Sequence, residues 1–190
     1  MKIKEVIECL KNEGTWVRWN RCTRDRILFG DAEQEVKKIG VCWVATNKVI
    51  EQALEKGINF IVSHENIFYT TGTHLETKLV ESIEHKKGLL SKGNICVYRC
   101  HDVWDSIPNY GVSDVWAKKL GFDFRDRVIN SYYQHADIPK QTVSELATRV
   151  ANALKDDGEE GVYVFGNVNK EVSRLAIGTG AGTDLSLIHI

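Results

Sequence analysis

The middle of the chain alternates between short apolar segments and helical patterns. Segments 41–46, 58–63 and 95–100 are rich in Ile, Val and other apolar residues, as buried strands are. Between them, an amphipathic pattern follows Asn47 as its expected N-cap and ends at Gly57, and a longer one covers 74–91. A β-α-β-α-β order requires parallel strands joined by right-handed crossovers. The sequence therefore predicts an α/β fold with a mostly parallel sheet and helices on both faces.

A second folded part is predicted after residue 125. Residues 122–141 are polar and aromatic and include Pro139, which is typical of a boundary, so we assign 1–125 to an α/β domain and 126–190 to a further part. Thr142 and Glu145 then form a capping box for a helix, and strands are expected at 161–165 and 173–177.

The last predicted strand opens into a glycine-rich run at 178–182, after which a helix would normally follow. The chain stops eight residues later, at Ile190. We therefore expect the second α/β part to be truncated, or the final residues not to be native sequence. The run has no third glycine at dinucleotide-binding spacing and no P-loop Lys, so it favours a turn over a nucleotide site.

Composition narrows the range of partners. The 190 residues carry a net charge of −1, which gives no indication of a nucleic acid or an anionic membrane as partner. No apolar run is long enough to span a membrane. Five cysteines, an odd number without an export signal, indicate reduced thiols and a cytoplasmic protein.

Two of the predicted strands end in histidine and carboxylate residues. His64 and Glu65 follow one strand, and His101 and Asp105 follow the next. The carboxyl ends of parallel strands form the ligand crevice of an open sheet, so these side chains are expected to meet there. A mixture of nitrogen and oxygen donors suits a divalent transition metal.

Several motifs occur together in an order that resembles a known family, the Nif-three-like proteins. The motifs are Gly30-Asp31 and the segments 41–46, 49–57, 61–64, 101–105 and 111–121. Members of this family are described as dinuclear-metal, hexamer-forming proteins and as GTP cyclohydrolase type 2 homologues. The resemblance covers nearly the whole chain and implies a homo-oligomer with two divalent ions, Zn, Fe or Mn, at its site.

The resemblance also implies a set of metal ligands. His64 matches the first of two adjacent family histidines, Glu65 replaces the second, and Asp105 matches an aspartate ligand. His101 is implied to face the substrate or to support a ligand, which makes it the candidate catalytic residue. Two further family ligands, a His and a Glu, come from a segment near the family's C-terminus that this chain ends before.

Two functions remain open from the sequence. The first is a metal-dependent hydrolase that uses a metal-bound water on a nucleotide-like or heterocyclic small molecule. The second is a metal-containing oligomeric scaffold that binds partners without catalysis. Trp104, inside the second motif, is expected to wall the pocket or stack on a flat substrate, whereas His85 is expected on a solvated helix surface.

Overall fold

The computed structural model describes residues 1–21, 23–68, 77–124 and 133–180 of the chain. The chain forms two compact units, Met1–Ile107 and Pro108–Ile190. The predicted boundary at residue 125 lies outside the described residues, as do Cys22, His74 and the last ten residues. Within the described ranges, no helix is both long enough and apolar enough to cross a bilayer.

In its described residues, the first unit comprises a four-stranded sheet and four helices. In chain order the elements are α1 (Ile3–Glu13), β1 (Arg26–Phe29), β2 (Ile39–Cys42), α2 (Asn47–Glu55), β3 (Phe60–Ser63), α3 (Thr77–Lys92), β4 (Cys96–Arg99) and α4 (Asp102–Ser106). The strand order is β1-β4-β3-β2, with β2, β3 and β4 parallel and β1 antiparallel to β4. The mostly parallel α/β fold is therefore confirmed.

The parallel register brings the carboxyl ends of three strands to one edge. Cys42 pairs with Ser63, and Ser63 pairs with Arg99. The residues that follow, Trp43 and His64 among them, therefore emerge side by side. β2 begins two residues earlier than predicted and ends at Cys42, so Trp43 lies beyond the strand at this edge.

Alternation along the strands supplies two apolar faces. Phe60 and Tyr98 pack under α1, on what we call the α1 face. Ile61 and Val97 point the other way and pack with Ile50 of α2 and with α3, on the α2–α3 face. Helices cover both faces of the sheet, as the sequence predicts.

Helix α2 begins one residue earlier than its predicted cap implies. Thr46, not Asn47, is the N-cap, and its hydroxyl accepts a hydrogen bond of 3.3 Å from the Val49 amide. Gly57 follows the helix with a φ of +66°, a left-handed conformation that favours glycine.

The described part of the second unit contains two helices and an antiparallel strand pair. Its elements are α5 (Val112–Leu120), β5 (Tyr133–Thr142), α6 (Val143–Leu154), a 3₁₀ turn (Lys155–Asp157) and β6 (Glu171–Gly178). The capping box of Thr142 and Glu145 is confirmed at the start of α6.

One strand prediction for this unit is wrong, and one strand was not predicted. The strand expected at 161–165 is wrong: Tyr163 and Phe165 are 94% and 92% exposed, and the segment has no strand partner in the described part of the chain. β5 was not predicted: of its alternating buried positions Gln134, Ala136 and Ile138 only the last two are apolar, and most of the other residues of the strand are polar.

Candidate metal centre

His64, His101 and Asp105 converge at the carboxyl edge of the sheet. One ligand atom from each lies within 4.8 Å of the other two. Asp105 contacts both rings: its Oδ1 is 3.4 Å from His64 Nε2 and its Oδ2 is 3.1 Å from His101 Nδ1. His64 is only 7% exposed. The cluster therefore presents two imidazoles and one carboxylate in a largely buried position.

A short helix places two members of the cluster. His101 is the N-cap of α4, and the Asp105 amide donates to the His101 carbonyl at 2.8 Å. Residues four apart lie on the same side of a helix, so both side chains turn towards His64. The sequence indicated only that both residues follow a strand, and this helical turn is why His101 joins the cluster directly.

Asp25, which lies 76 residues before His101 in the chain, holds the start of α4. Its carboxylate accepts the amides of His101 and Asp102 at 2.6 Å each and that of Val103 at 3.0 Å. Burial raises the pKa of Asp25, and these three amides act against that rise. Sequence reasoning missed Asp25, because its partners lie more than 75 residues away and no local pattern marks it.

Aromatic stacking fixes the planes of the two imidazoles. The Trp43 ring stacks on His64 with centroids 4.0 Å apart, and His64 stacks on His101 at 4.5 Å. The interplanar angles are 17° and 22°. Trp43, also unassigned from the sequence, thus covers one side of the His64 ring and orients it.

The electrostatics keep His64 in the form that binds metals. Burial, together with the charge of His101, lowers its pKa to about 4 from an ordinary value of 6.5. Its imidazole is therefore neutral at pH 7, as a metal ligand must be. Burial also raises the pKa of Asp105. Burial acts the same way on Asp102, but hydrogen bonds from His101, Arg24 and Thr23 hold the pKa of Asp102 well below its ordinary value.

Glu65, predicted as a ligand, lies outside this cluster. Its Oε2 accepts a hydrogen bond of 2.9 Å from Arg99 Nη2, and Arg99 Nε donates to the His64 carbonyl at 3.1 Å. The structure therefore brings together His64, His101 and Asp105 and pairs Glu65 with Arg99 instead.

The three clustered residues fit a divalent ion. Ligand atoms around a tetrahedral ion with bonds of about 2.0–2.1 Å are separated by about 3.3 Å, and His64 Nε2 and Asp105 Oδ1 lie 3.4 Å apart. In addition, His64 Nδ1 is buried and has no hydrogen-bond partner in the described part of the chain. Mixed imidazole and carboxylate donors are suited to Zn, Fe or Mn.

A cavity of about 520 Å³ adjoins the cluster on the α1 face. His64 forms part of its wall, and most of the rest is apolar: Val6 and Leu10 from α1, Val41 from β2, and Trp43 and Trp104. This volume is within the range of small-molecule sites. Trp104 lines it, as the sequence predicted for a pocket wall.

Comparisons with known proteins agree with this architecture. A family profile described as Duf34/NIF3 (NGG1p interacting factor 3) matches residues 1–189. A GTP cyclohydrolase 1 type 2 homolog from Clostridium perfringens is 26% identical over 169 residues, which is 83% of this chain and 61% of the relative. The same-named protein from Clostridium acetobutylicum is 28% identical over 173 residues, 83% and 60% of the two chains.

A solved structure shares the fold. The Bacillus cereus protein related to NIF3 superposes with a TM-score of 0.72 at 13% identity, over 97% of this chain and 78% of that one. At this identity the likeness concerns the fold alone. This chain spans about three fifths of the length of the two clostridial relatives.

Proposed function

This chain belongs to the Duf34/NIF3 family, and from that premise we propose that it binds a divalent metal ion and hydrolyses a small molecule there. His64, His101 and Asp105 are the proposed ligands. The observation that carries the proposal is their convergence at the carboxyl edge of the sheet, with donor atoms within 4.8 Å of one another. That edge is where open α/β sheets bind their ligands.

Each residue has a definable role at such a site. A bound ion lowers the pKa of water towards neutrality and polarises the bond to be broken. His64 supplies a neutral nitrogen, and Asp105 supplies the negative charge while orienting both imidazoles. Asp102 contacts His101 Nδ1 at 3.2 Å and helps to fix that ring. Trp43 excludes water from one side of His64.

The proposed substrate is nucleotide-like or heterocyclic. The two clostridial relatives carry the name GTP cyclohydrolase 1 type 2 homolog, which suggests a flat heterocycle. The indoles of Trp43 and Trp104 in the cavity wall offer surfaces on which such a ring can stack. The described lining contains no Lys or Arg, so the cavity suits the ring of a nucleotide rather than its phosphates.

The test is turnover of a panel of nucleotides and phosphate esters by metal-loaded protein. We expect His64→Ala to lose more than the roughly 10–100-fold caused by removing a ligand's supporting partner. His85→Ala is the matched control, because His85 is an exposed helix residue. Turnover that persists in His64→Ala, or in wild-type protein stripped of metal, would refute the hydrolase proposal.

An exposed apolar surface favours the second candidate, a metal-containing scaffold. Ile39, Val41 and Trp43 at the edge strand β2 are 44%, 80% and 58% exposed, which is unusual for large apolar side chains. The family description, NGG1p interacting factor 3, itself names an interaction. No turnover, with partner capture unchanged in His64→Ala, would favour this candidate. Homo-oligomerisation and a cytoplasmic location stay predictions.

A further inference from the structure

Glu65 directly follows a proposed ligand but is turned towards the opposite face of the sheet. The Glu65 amide donates to the Trp43 carbonyl at 2.7 Å, so pairing with the chain after β2 continues to this residue. The His64 ring lies beside the α1 face, two positions beyond Val62. Arg99 lies two positions beyond Val97 of the α2–α3 face, and its pairing with Glu65 directs the carboxylate to that side.

Arg99 donates hydrogen bonds to both the backbone and a side chain of this segment. One guanidinium nitrogen donates to the His64 carbonyl and another to the Glu65 carboxylate, at 3.1 and 2.9 Å. The Arg99 and Glu65 side chains are 12% and 28% exposed, so solvent screens the pair only in part. A charge-assisted hydrogen bond in such a position competes strongly with a metal ion for the carboxylate.

The Glu65 carboxylate is nevertheless near the cluster. It belongs to the residue that directly follows His64, and Arg99 Nε donates to the carbonyl of that same His64. A ligand role for Glu65 would require its carboxylate to leave Arg99 Nη2 and turn back past the His64 carbonyl. Arg99 is the cation that fixes the direction of this carboxylate in the described structure.

We propose that Arg99 is a positioning residue that withholds Glu65 from the metal, so that His64, His101 and Asp105 bind the ion without it. The inference rests on the metal site proposed above. It makes Arg99 a determinant of metal preference: two imidazoles and one carboxylate suit zinc, whereas a second carboxylate would favour a harder ion such as Mn²⁺.

The experiment is a double-mutant cycle on metal affinity in the full chain. Zn²⁺ affinity is measured by competition with a chromophoric chelator. Mn²⁺ affinity is measured from the electron paramagnetic resonance signal of the unbound ion. We expect Glu65→Gln to change Zn²⁺ affinity by less than about threefold and Arg99→Gln to raise Mn²⁺ affinity on the order of tenfold. The gain should exceed that for Zn²⁺ and should vanish in the Arg99→Gln, Glu65→Gln double variant.

Matched variants separate this role from a general charge effect. Lys86→Gln removes another cation that holds the same segment, through the Ile67 carbonyl at 2.7 Å, but that has no carboxylate partner in the described structure. It should leave both affinities within about threefold of wild type. Arg99→Lys keeps the charge and should do the same. Circular dichroism establishes that each variant is folded.

The outcomes divide cleanly. A tenfold or greater loss of Zn²⁺ affinity in Glu65→Gln would make Glu65 a ligand and overturn the inference, even if Arg99→Gln failed to fold. An equal gain in Mn²⁺ affinity from Arg99→Gln with and without Glu65 would mean that Arg99 acts only through its charge. That result would also overturn the inference. If wild type binds no metal, the proposed function fails. Glu65-dependent binding by Arg99→Gln would then still support the inference, and no binding would overturn it.

Discussion

Asp102 and Asp105 lie only three residues apart in the chain but differ in what they contact. Both lie close to His101 Nδ1, at 3.2 and 3.1 Å. Asp102 also accepts hydrogen bonds from Thr23 Oγ1 at 2.9 Å and from the Arg24 amide at 2.8 Å. Asp105 instead reaches His64. The first aspartate therefore ties α4 to the segment before β1, and the second completes the candidate metal site.

Replacing each of these two aspartates by asparagine separates their roles. Asp102→Asn should weaken zinc binding by about tenfold, as loss of a ligand's supporting partner does, and Asp105→Asn should weaken it more than about 100-fold. Chelator competition on the two variants measures both. Equal losses would contradict the assignment of Asp105 as ligand and Asp102 as support.

How far single residues could be predicted depended on whether their partners were local. His64 and Asp105 were identified because each follows a recognisable strand end. Arg99 escaped notice because its partner Glu65 lies 34 residues away in the chain, across a parallel strand pair. The family resemblance placed His101 beside the ligands; segment 101–105 shows no helical pattern by itself, and it is α4 that brings His101 level with Asp105.

Helix α4 carries two proposed ligands but has only five residues. A helix of that length is not stable alone, because forming its first turn costs more free energy than one turn of hydrogen bonds recovers. Asp25 supplies what the helix lacks, since it accepts three amides at its start. The order of the candidate metal site therefore depends on this buried contact as well as on the bonds of Asp102 to Thr23 and Arg24.

Asp25→Asn should weaken both folding and metal binding. The amide oxygen accepts hydrogen bonds less strongly than a carboxylate, so we expect a loss of about 1–3 kcal/mol in the free energy of unfolding. Zinc affinity should fall with it, because His101 and Asp105 shift with α4. Urea unfolding and zinc titration measure the two effects.

Thr142→Ala is the matched control, because it removes a helix cap in the second unit. It should cost about 1 kcal/mol of stability and leave zinc affinity unchanged. A stability loss in Asp25→Asn with normal zinc affinity would show that α4 does not depend on this cap.

Helices and strands with a clear spacing of apolar residues were predictable, and polar or very short ones were not. The order β2-α2-β3-α3-β4 and the start of α6 follow from apolar spacing and caps. β1 has only four residues, and two of these, Arg26 and Ile27, are exposed, so it left no pattern. Segment 161–165 has the composition of a strand, but strand formation also needs a partner, which composition does not reveal.

For the whole molecule, the motif order was informative over almost the full length. It indicated the family that matches residues 1–189. The chain divides at Pro108 into two compact units, so that α5 lies in the second. The polarity of 122–141 suggested a later boundary, since α5 is itself amphipathic and continues the alternation of the first unit.

The stability of the whole metal-free protein should depend on pH through His64. Its folded pKa of about 4 lies below the ordinary 6.5, so between these values the unfolded chain binds a proton that the folded chain does not. Stability from this group is therefore complete above pH 6.5 and is lost as pH falls towards 4. Urea unfolding in the presence of EDTA from pH 8 to pH 4.5 measures this loss.

Two variants isolate the contribution of His64 to this pH dependence. His64→Gln has no proton to gain, so its midpoint should fall less steeply with acid than that of wild type, whereas His85→Gln should stay parallel to wild type because His85 is exposed. Zinc at about 100 times its Kd should add about 2.7 kcal/mol near neutral pH. That gain should shrink in acid, because protons compete for the ligands. Parallel curves for wild type and His64→Gln would mean that burial does not hold His64 neutral, and the main electrostatic reason to regard it as a ready ligand would be removed.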